Sequence, residues 1–491
     1  MDDASQLKIE TAKGLGRGLI REAALVAGEW VSEGERLQVE DPADETILGS
    51  VPKLSAQQAE RAVQAAADAF PAWSGRREFE RDEILRRWAA LIDRDTDALG
   101  ALLALENGKP YAEAKGEIAY ANQFNKWFAG EAERLNGELI PSPTAQDRIL
   151  AIKQPVGPVA AITPWNFPAA MITRKVAPAF AAGCTVVLKP ASATPFTALA
   201  LAALAQEAGV PDGVLSVITG DNRVLGPVLT SSPLIRKLSF TGSTEVGRQL
   251  MADCAPTLKR LSMELGGAAP LIVFDDADLD LAVAETVKGK FRGSGQTCVC
   301  PNRVYVQAPL HDAYLEKLTA KVAALKVGGA FESDVLIGPL IDARGVAKVE
   351  GHVERTKARG GRVLTGGNRH ARGGRFFEPT VLAGGDEGLF RCEETFGPVV
   401  PVFAFKTEDE VIGLANASEY GLASYLFSDN LNRAMRVAKA IEAGMVGVNV
   451  GLMSNAAIPF GGVKQSGFGR EGSIFGIDEY LQVKAVTLGL R

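Results

Sequence analysis

The run Val159-Ala160-Ala161-Ile162-Thr163-Pro164-Trp165-Asn166-Phe167-Pro168 decides the fold class of this chain. It is a short apolar strand that ends in a loop bounded by prolines, and a helical pattern follows as far as Gly183. The same order of strand, loop and helix recurs from residues 185, 215 and 235. Short apolar strands that alternate with helices indicate a parallel, doubly wound α/β sheet. Such sheets bind ligands at the carboxyl ends of their strands, where these loops lie.

A second series of strands and helices begins at Pro270 and continues to Val448. Before the first series, residues 138–154 have the pattern of a β hairpin, and after the second, residues 483–490 form an apolar strand with no partner in the preceding loop. We therefore predict a Rossmann-like cofactor-binding domain (1–137 and 155–263) and an α/β catalytic domain (264–465). A small β arm with the C-terminal tail (138–154 and 466–491) is expected to contact other subunits.

Composition narrows the classes of function. The chain has 491 residues, 46% of them hydrophobic and 23% charged, which is typical of a soluble globular protein with more than one domain. A net charge of −6 argues against a general affinity for nucleic acid or anionic membranes. No secretory leader and no membrane span are predicted, and five cysteines at irregular spacing do not form a secreted disulfide framework. We expect a cytoplasmic protein.

Only three histidines occur (His311, His352 and His370), and each stands alone in a polar or loop-like context. A Ser-His-Asp hydrolase or a histidine metal site is therefore not expected.

The loop Gly293-Ser294-Gly295-Gln296-Thr297-Cys298-Val299-Cys300 is the first candidate for chemistry. Glycines allow close backbone approach to a ligand, and a thiol held there is a candidate nucleophile. The alternative is a turn with small buried cysteines. A second candidate is Thr241-Gly242-Ser243, which follows a strand and opens a helix, as phosphate-binding turns do. On its own this second pattern is weak.

Six stretches together resemble the aldehyde dehydrogenase superfamily in order and spacing. They are Pro164-Trp165-Asn166-Phe167-Pro168, Phe240-Thr241-Gly242-Ser243, Met263-Glu264-Leu265-Gly266-Gly267, Gly295-Gln296-Thr297-Cys298, Glu393-Glu394-Thr395-Phe396-Gly397-Pro398 and Pro459-Phe460-Gly461-Gly462. The resemblance implies that Cys298 attacks the aldehyde carbonyl, and that Asn166 and the Cys298 amide stabilise the oxyanion. It further implies hydride transfer to a nicotinamide, and hydrolysis of the resulting thioester with Glu264 as general base. Alone, Glu264 is equally a carboxylate that accepts nearby amides, and Asn166 a turn residue.

The same resemblance implies a nicotinamide dinucleotide cofactor. Lys189 suits ribose hydroxyls or a 2′-phosphate, and Ser192 stands where NAD-preferring members often carry a glutamate. A glutamate there would repel the 2′-phosphate of NADP. Serine removes that repulsion, so NADP is favoured over NAD, although Ser192 is also an ordinary turn residue. The expected cofactor residues are Thr163, Pro164, Trp165, Asn166, Lys189, Ser192, Gly242, Ser243, Leu265, Glu394 and Phe396.

Arg174, Arg292 and Ser454 resemble residues of the members that oxidise succinate semialdehyde. Two guanidinium groups and a hydroxyl suit a substrate that ends in a carboxylate. The alternative is that each arginine pairs with a protein carboxylate. Glutarate semialdehyde or another aldehyde-acid is the competing substrate, since one methylene changes binding by only about 1–3 kcal/mol.

Three further expectations complete the sequence analysis. Cys300 is a candidate partner for Cys298 in a strained regulatory disulfide, or else an inert neighbour. The resemblance implies a homodimer or homotetramer, and no metal. A cysteine acyltransferase or a non-catalytic protein of the same fold is disfavoured by the absence of a histidine near Cys298 and by the presence of Glu264 and Asn166.

Overall fold

The computed structural model describes residues 3–490, which contain two large sheets, each flanked by helices. The first sheet has eight strands. Their spatial order is Glu29–Val31, Ala24–Val26, Leu215–Val217, Val186–Lys189, Val159–Ile162, Lys237–Thr241, Arg260–Glu264 and Gly467–Phe468. The five central strands, Leu215–Val217 to Arg260–Glu264, are parallel, as the sequence predicts for a doubly wound sheet.

The direction of chain progression across this sheet reverses beside the strand Val159–Ile162. Later strands are added first on one side of it, and Lys237–Thr241 then pairs on its other side. A crevice opens where two loops diverge at such a reversal, and ligands of doubly wound sheets bind there. The loop that carries Trp165 and the turn Gly242-Ser243 lie at this position.

The second sheet has seven strands. Their order is Arg362–Thr365, Thr380–Ala383, Val399–Phe405, Arg303–Gln307, Pro270–Val273, Ala423–Phe427 and Met445–Val448. All pairs except the first are parallel. Two smaller pairings join Arg36–Glu40 to Ile47–Pro52 and Tyr420–Gly421 to Val463–Lys464.

The helices follow the predicted alternation in most places. They are Asp3–Gly18, Ala56–Ser74, Glu78–Arg94, Thr96–Asn107, Tyr111–Ala132, Ala170–Ala182, Pro195–Glu207, Asn222–Ser231, Thr244–Cys254, Leu279–Phe291, His311–Ala323, Ala343–Ala358, Glu387–Cys392, Glu408–Asn416, Leu431–Ala440 and Phe475–Asp478. Side-chain caps fix several starts: Ser55 accepts from the Gln58 amide, and Asp278 from the Leu281 amide. Among residues 3–490 no helix is long and apolar enough to cross a bilayer.

The predicted hairpin forms from Glu138–Ile140 and Asp147–Pro155, and the C-terminal tail joins it as a third strand. The strand Leu481–Gly489 pairs with Asp147–Pro155 of the same chain along its whole length, from Leu481 opposite Pro155 to Gly489 opposite Asp147. The two segments are more than 300 residues apart, so local sequence gave no sign of the pairing. Gly467–Phe468, which was assigned to the arm, instead joins the first sheet beside Glu264.

Candidate active site

Two adjoining cavities form one groove at the reversal point of the first sheet. The larger, about 690 Å³, and the smaller, about 340 Å³, share Pro164, Trp165, Gly242 and Ser243 in their walls. These residues come from the loops that follow Val159–Ile162 and Lys237–Thr241. The eleven residues expected to bind the cofactor all line this groove. An elongated groove of this size fits a dinucleotide.

Thr163, Lys189 and Ser192 lie in the larger cavity. Lys189 is buried, and burial lowers the pKa of its ammonium to about 8. Its Nζ donates to the Pro190 carbonyl at 3.1 Å, which leaves donors for an anion. The Thr163 hydroxyl is buried and has no hydrogen-bond partner within residues 3–490. These free polar groups fit ribose hydroxyls or a phosphate.

Ser243 caps the helix Thr244–Cys254 where the two cavities meet. Its hydroxyl accepts a hydrogen bond from the Val246 amide at 3.4 Å. The first amides of this helix and its positive dipole end therefore face the middle of the groove, where a pyrophosphate would lie. The sequence prediction for Gly242-Ser243 agrees with this position.

Cys298, Asn166, Leu265, Glu394 and Phe396 line the smaller cavity. Trp165 and Phe396 pack edge to face across it, with ring centroids 5.5 Å apart and planes at 88°. Phe396 has a φ of 52°, a conformation that is uncommon for a bulky residue. The two rings and Cys298 line the same cavity, so a flat heterocycle bound there would lie among them.

Asn166 is held from both sides. Its Nδ2 donates to the main-chain oxygen of Gln296 at 2.9 Å, and its own main-chain oxygen accepts from Lys109 Nζ at 2.9 Å. Lys109 forms a buried ion pair with Glu117, and the Glu117 carboxylate also accepts from the Ala169 amide at 2.9 Å. Sequence reasoning missed both residues: Lys109 lies in the turn after the helix Thr96–Asn107, Glu117 lies on the helix Tyr111–Ala132, and neither belongs to a chemistry-bearing motif.

Two glycines allow the loops around Cys298 to pack closely. Gly295 has a φ of 74°, and a Cβ there would lie 2.1 Å from the main-chain oxygen of Gly397. A Cβ on Gly267 would lie 2.6 Å from the oxygen of Cys298. Any side chain at either position would force the cysteine loop away from the groove.

Comparison with known proteins agrees with this geometry. Residues 30–486 match the aldehyde dehydrogenase family. The chain belongs to that family. It is 55% identical to glutarate-semialdehyde dehydrogenase of Pseudomonas aeruginosa, over 96% of this chain and 98% of the relative. It is 54% identical to the succinate-semialdehyde dehydrogenase [NADP(+)] of Escherichia coli, with the same coverage. The crystal structure of succinate-semialdehyde dehydrogenase from Burkholderia pseudomallei superposes with a TM-score of 0.95 at 53% identity, covering 96% of this chain and 99% of that one.

In this aldehyde dehydrogenase the candidate nucleophile and base are both protonated more readily than exposed groups. Burial, together with the charge of Glu394, raises the pKa of the Cys298 thiol to about 12. Burial, followed by the charge of Glu471, raises the pKa of Glu264 well above its usual value. Within the described residues, Oε2 of Glu264 has no hydrogen-bond partner. A carboxylate with a raised pKa is a stronger base than an exposed glutamate.

The three expected substrate residues differ in their surroundings. Arg174 is fully buried, donates to the Tyr120 hydroxyl and lies 3.6 Å from Glu471 Oε2. Arg174 therefore has a protein carboxylate within ion-pair distance, as the alternative expects, and its role in binding the substrate stays a prediction. Arg292 is half-buried over the ring of Phe167, 4.9 Å from its centroid. Ser454 is also half-buried, in the loop after Met445–Val448.

Arg292 forms no ion pair with any carboxylate within residues 3–490. Its side chain lies on Phe167, the residue that directly follows Asn166 in the chain. Neither Arg292 nor Ser454 lines the two cavities of the groove. An aldehyde that met Arg292 would therefore approach Cys298 from outside the cofactor groove.

Cys300 is buried and separate from Cys298; all five cysteines are free thiols. The Cys300 thiol lies 3.7 Å from Lys290 Nζ and 3.4 Å from the Gly295 oxygen. The regulatory disulfide remains a prediction.

The helix Ala343–Ala358, here called the Ala343 helix, contributes groove residues that the sequence analysis did not identify. Asp342, Arg344 and Lys348 line the groove, and Asp342 caps the helix through the Gly345 amide at 2.8 Å. Its buried residue His352 also corrects the expectation that each histidine is isolated in a polar or loop-like context. The only local signal was an aspartate at the helix start.

Proposed function

We propose that this enzyme oxidises succinate semialdehyde to succinate with NADP. The observation that carries the choice of substrate is Arg292, a guanidinium without a carboxylate partner among the described residues, beside the residue that follows Asn166. A carboxylate that is separated from the aldehyde carbon by two methylene groups is the simplest group for that cation to bind, because arginine binds carboxylates bidentately. The names of the two relatives support the same substrate class.

The chain's own residues account for the acyl chemistry. Cys298 transfers its proton to Glu264, which passes it to solvent, and the thiolate adds to the aldehyde carbonyl. Asn166 Nδ2 and the Cys298 amide bind the oxyanion that forms. A bound nicotinamide supplies the hydride acceptor. Glu264 then takes a proton from the water that hydrolyses the Cys298 thioester. Loss of one oxyanion donor costs about 2.7–4 kcal/mol in such reactions.

NADP is the proposed cofactor because Lys189 supplies a cation at its end of the groove, and position 192 there holds a serine in place of a carboxylate. Replacing Ser192 with glutamate would place a negative charge beside a 2′-phosphate. We expect Ser192→Glu to raise the KM for NADP about tenfold or more and to change that for NAD far less. Ser231→Glu, at an exposed helix end, controls for added charge.

The decisive experiment follows reduced-cofactor absorbance with succinate semialdehyde, glutarate semialdehyde and uncharged butanal. We expect the highest kcat/KM with succinate semialdehyde and NADP, and a loss for Arg292→Met that is confined to the charged aldehydes. Equal kcat/KM for butanal would overturn the substrate assignment. Arg359→Met, an exposed arginine elsewhere, is the matched control.

Glutarate semialdehyde is the second candidate, favoured by the relative from Pseudomonas aeruginosa. It has one more methylene, and the same guanidinium would bind its carboxylate. The ratio of kcat/KM for the two semialdehydes decides between them.

Two further proposals concern the cell and the assembly. All five cysteines are free, which suits a reducing cytoplasm. The arm exposes Leu139 (68%) and Val483 (70%), apolar residues of the kind that another subunit would cover. We propose a cytoplasmic homodimer or homotetramer.

A further inference from the structure

Segment 393–397 carries Glu394 and Phe396 into the groove, and a buried histidine lies behind it. His352 belongs to the Ala343 helix and is fully buried. Its Nδ1 lies 3.1 Å from the Thr395 hydroxyl, and its Nε2 lies 3.1 Å from Glu393 Oε2. The imidazole thus contacts the residues on either side of Glu394.

The ionisation states fix which ring nitrogen carries the proton. Two hydrogen bonds from Arg355, each 2.8 Å, lower the pKa of Glu393 to about 2, so this carboxylate only accepts. Burial lowers the pKa of His352 to about 4, so the ring is neutral. Nε2 therefore donates to Glu393, and Nδ1 accepts from the Thr395 hydroxyl. At neutral pH both contacts are satisfied.

The same segment has little freedom elsewhere. The Asn302 side chain accepts a hydrogen bond from the Thr395 amide at 2.9 Å and donates one to the main-chain oxygen of Glu393 at 2.9 Å. Phe396 has a φ of 52°, and a Cβ on Gly397 would lie 2.4 Å from Val349 of the Ala343 helix. A strained conformation persists only where its surroundings enforce it. His352 and Arg355 both bond this segment to the helix whose first turns line the groove, and of the two only His352 contacts Thr395.

We propose that His352 is a positioning residue, which holds segment 393–397 so that Glu394 and Phe396 meet the nicotinamide end of the cofactor. The proposal rests on the proposed function, because it assigns these two residues to the cofactor. It assigns no proton transfer to the imidazole. Its consequence is that loss of the Thr395 contact weakens cofactor binding without any change in the groove wall.

Two variants remove the same contact from opposite sides: His352→Leu and Thr395→Val. Thr395→Val retains the buried imidazole, so it tests the proposal even if His352→Leu does not fold. His352→Asn retains an acceptor near the position of Nδ1 and is expected to recover part of the loss. His311→Leu, a histidine outside the groove, is the matched control.

The measurements are the Kd of NADP by calorimetry, amide hydrogen exchange of residues 393–397, and KM against kcat. For His352→Leu and Thr395→Val we expect a Kd and a cofactor KM about 5- to 30-fold higher, as for one lost buried hydrogen bond. Faster exchange in the segment should accompany them. Wild-type Kd and wild-type exchange in a folded Thr395→Val protein would overturn the proposal, as would lowered thermal stability alone.

The outcome is separable from that of the proposed function. If the cofactor is NAD, the wild type and all variants bind NAD more tightly than NADP. The ratio of the variant Kd to the wild-type Kd for NAD then tests the role of His352. If neither nucleotide binds the wild-type protein, the proposed function fails, and with it this role for His352.

Discussion

The side-chain amide of Asn166 donates a hydrogen bond to the main-chain oxygen of Gln296, 2.9 Å away. This bond joins the crevice loop of the first sheet to the cysteine loop, two residues before Cys298. The proposed oxyanion donor and the nucleophile are therefore positioned together. A displacement of the Asn166 main chain would therefore move both the oxyanion donor and the nucleophile.

The ion pair of Lys109 and Glu117 holds that main chain, and it gives the first prediction. Lys109→Met leaves the Glu117 carboxylate buried without its cation, so we expect a loss of about 3–5 kcal/mol in the free energy of unfolding. The double variant Lys109→Met/Glu117→Gln removes the charge and should recover much of this stability. Its kcat should stay below that of the wild type, because the bond to the Asn166 oxygen is still missing.

Chemical denaturation and steady-state kinetics check this prediction. Lys115→Met, on the helix that carries Glu117, breaks an exposed ion pair with Asp97 of the preceding helix and should cost no more than about 1 kcal/mol. Full recovery of kcat in the double variant would show that the bond to Asn166 has no role in catalysis.

The sequence predicted those parts of the fold that local patterns determine. Alternating strands and helices and the turn at Gly242-Ser243 depend on residues within a few positions of one another. Thr163, Gly242 and Leu265 were predicted for the groove and line it, and each stands directly after a strand.

Contacts between distant segments were not predictable. The pairing of Leu481 with Pro155, the burial of His352 against Thr395 and the partnership of Arg174 with Glu471 depend on tertiary packing. Arg174 shows the difficulty most clearly. Its sequence position suggested a substrate clamp, and only the fold brings the carboxylate of a residue almost 300 positions away to its guanidinium.

The affinity for NADP should depend on pH through Lys189. Burial lowers the pKa of this ammonium to about 8, so it is charged below that pH and loses its proton as the pH rises through it. We therefore expect the Kd for NADP to increase above about pH 8, while that for NAD changes less. A bound phosphate stabilises the charged form and moves the transition to higher pH. Calorimetry from pH 6.5 to 9.5 measures this, and Lys189→Arg, which remains charged, should abolish the difference. An identical pH dependence in Lys189→Arg would contradict the assignment.

The arm should control assembly. Leu139 and Val483 lie on the two outer strands of the three-stranded sheet and are more than two-thirds exposed. A buried charge in an interface is costly, so Leu139→Asp and Val483→Asp should shift the protein toward smaller species in light scattering coupled to gel filtration. Leu431→Asp, at an equally exposed leucine outside the arm, is the control. An unchanged mass for both arm variants at low micromolar concentration would place the interface elsewhere.

The reactivity of Cys298 gives the last prediction. Because burial and the charge of Glu394 raise the pKa of its thiol to about 12, little thiolate exists at pH 7 without ligands. Alkylation by iodoacetamide should therefore be slow and should accelerate up to about tenfold per pH unit.

Cys392→Ser is the background, because Cys392 is exposed and would react first. In that background, Glu394→Gln removes a negative charge that opposes ionisation of the thiol. Since the pKa of Glu394 is itself raised to about 7, alkylation above pH 7 should become about two- to tenfold faster. Glu60→Gln, an exposed glutamate on the helix Ala56–Ser74, should leave the rate unchanged. A rate that does not vary between pH 7 and 9, or that is equal in the two glutamine variants, would mean that neither burial nor Glu394 controls the thiol.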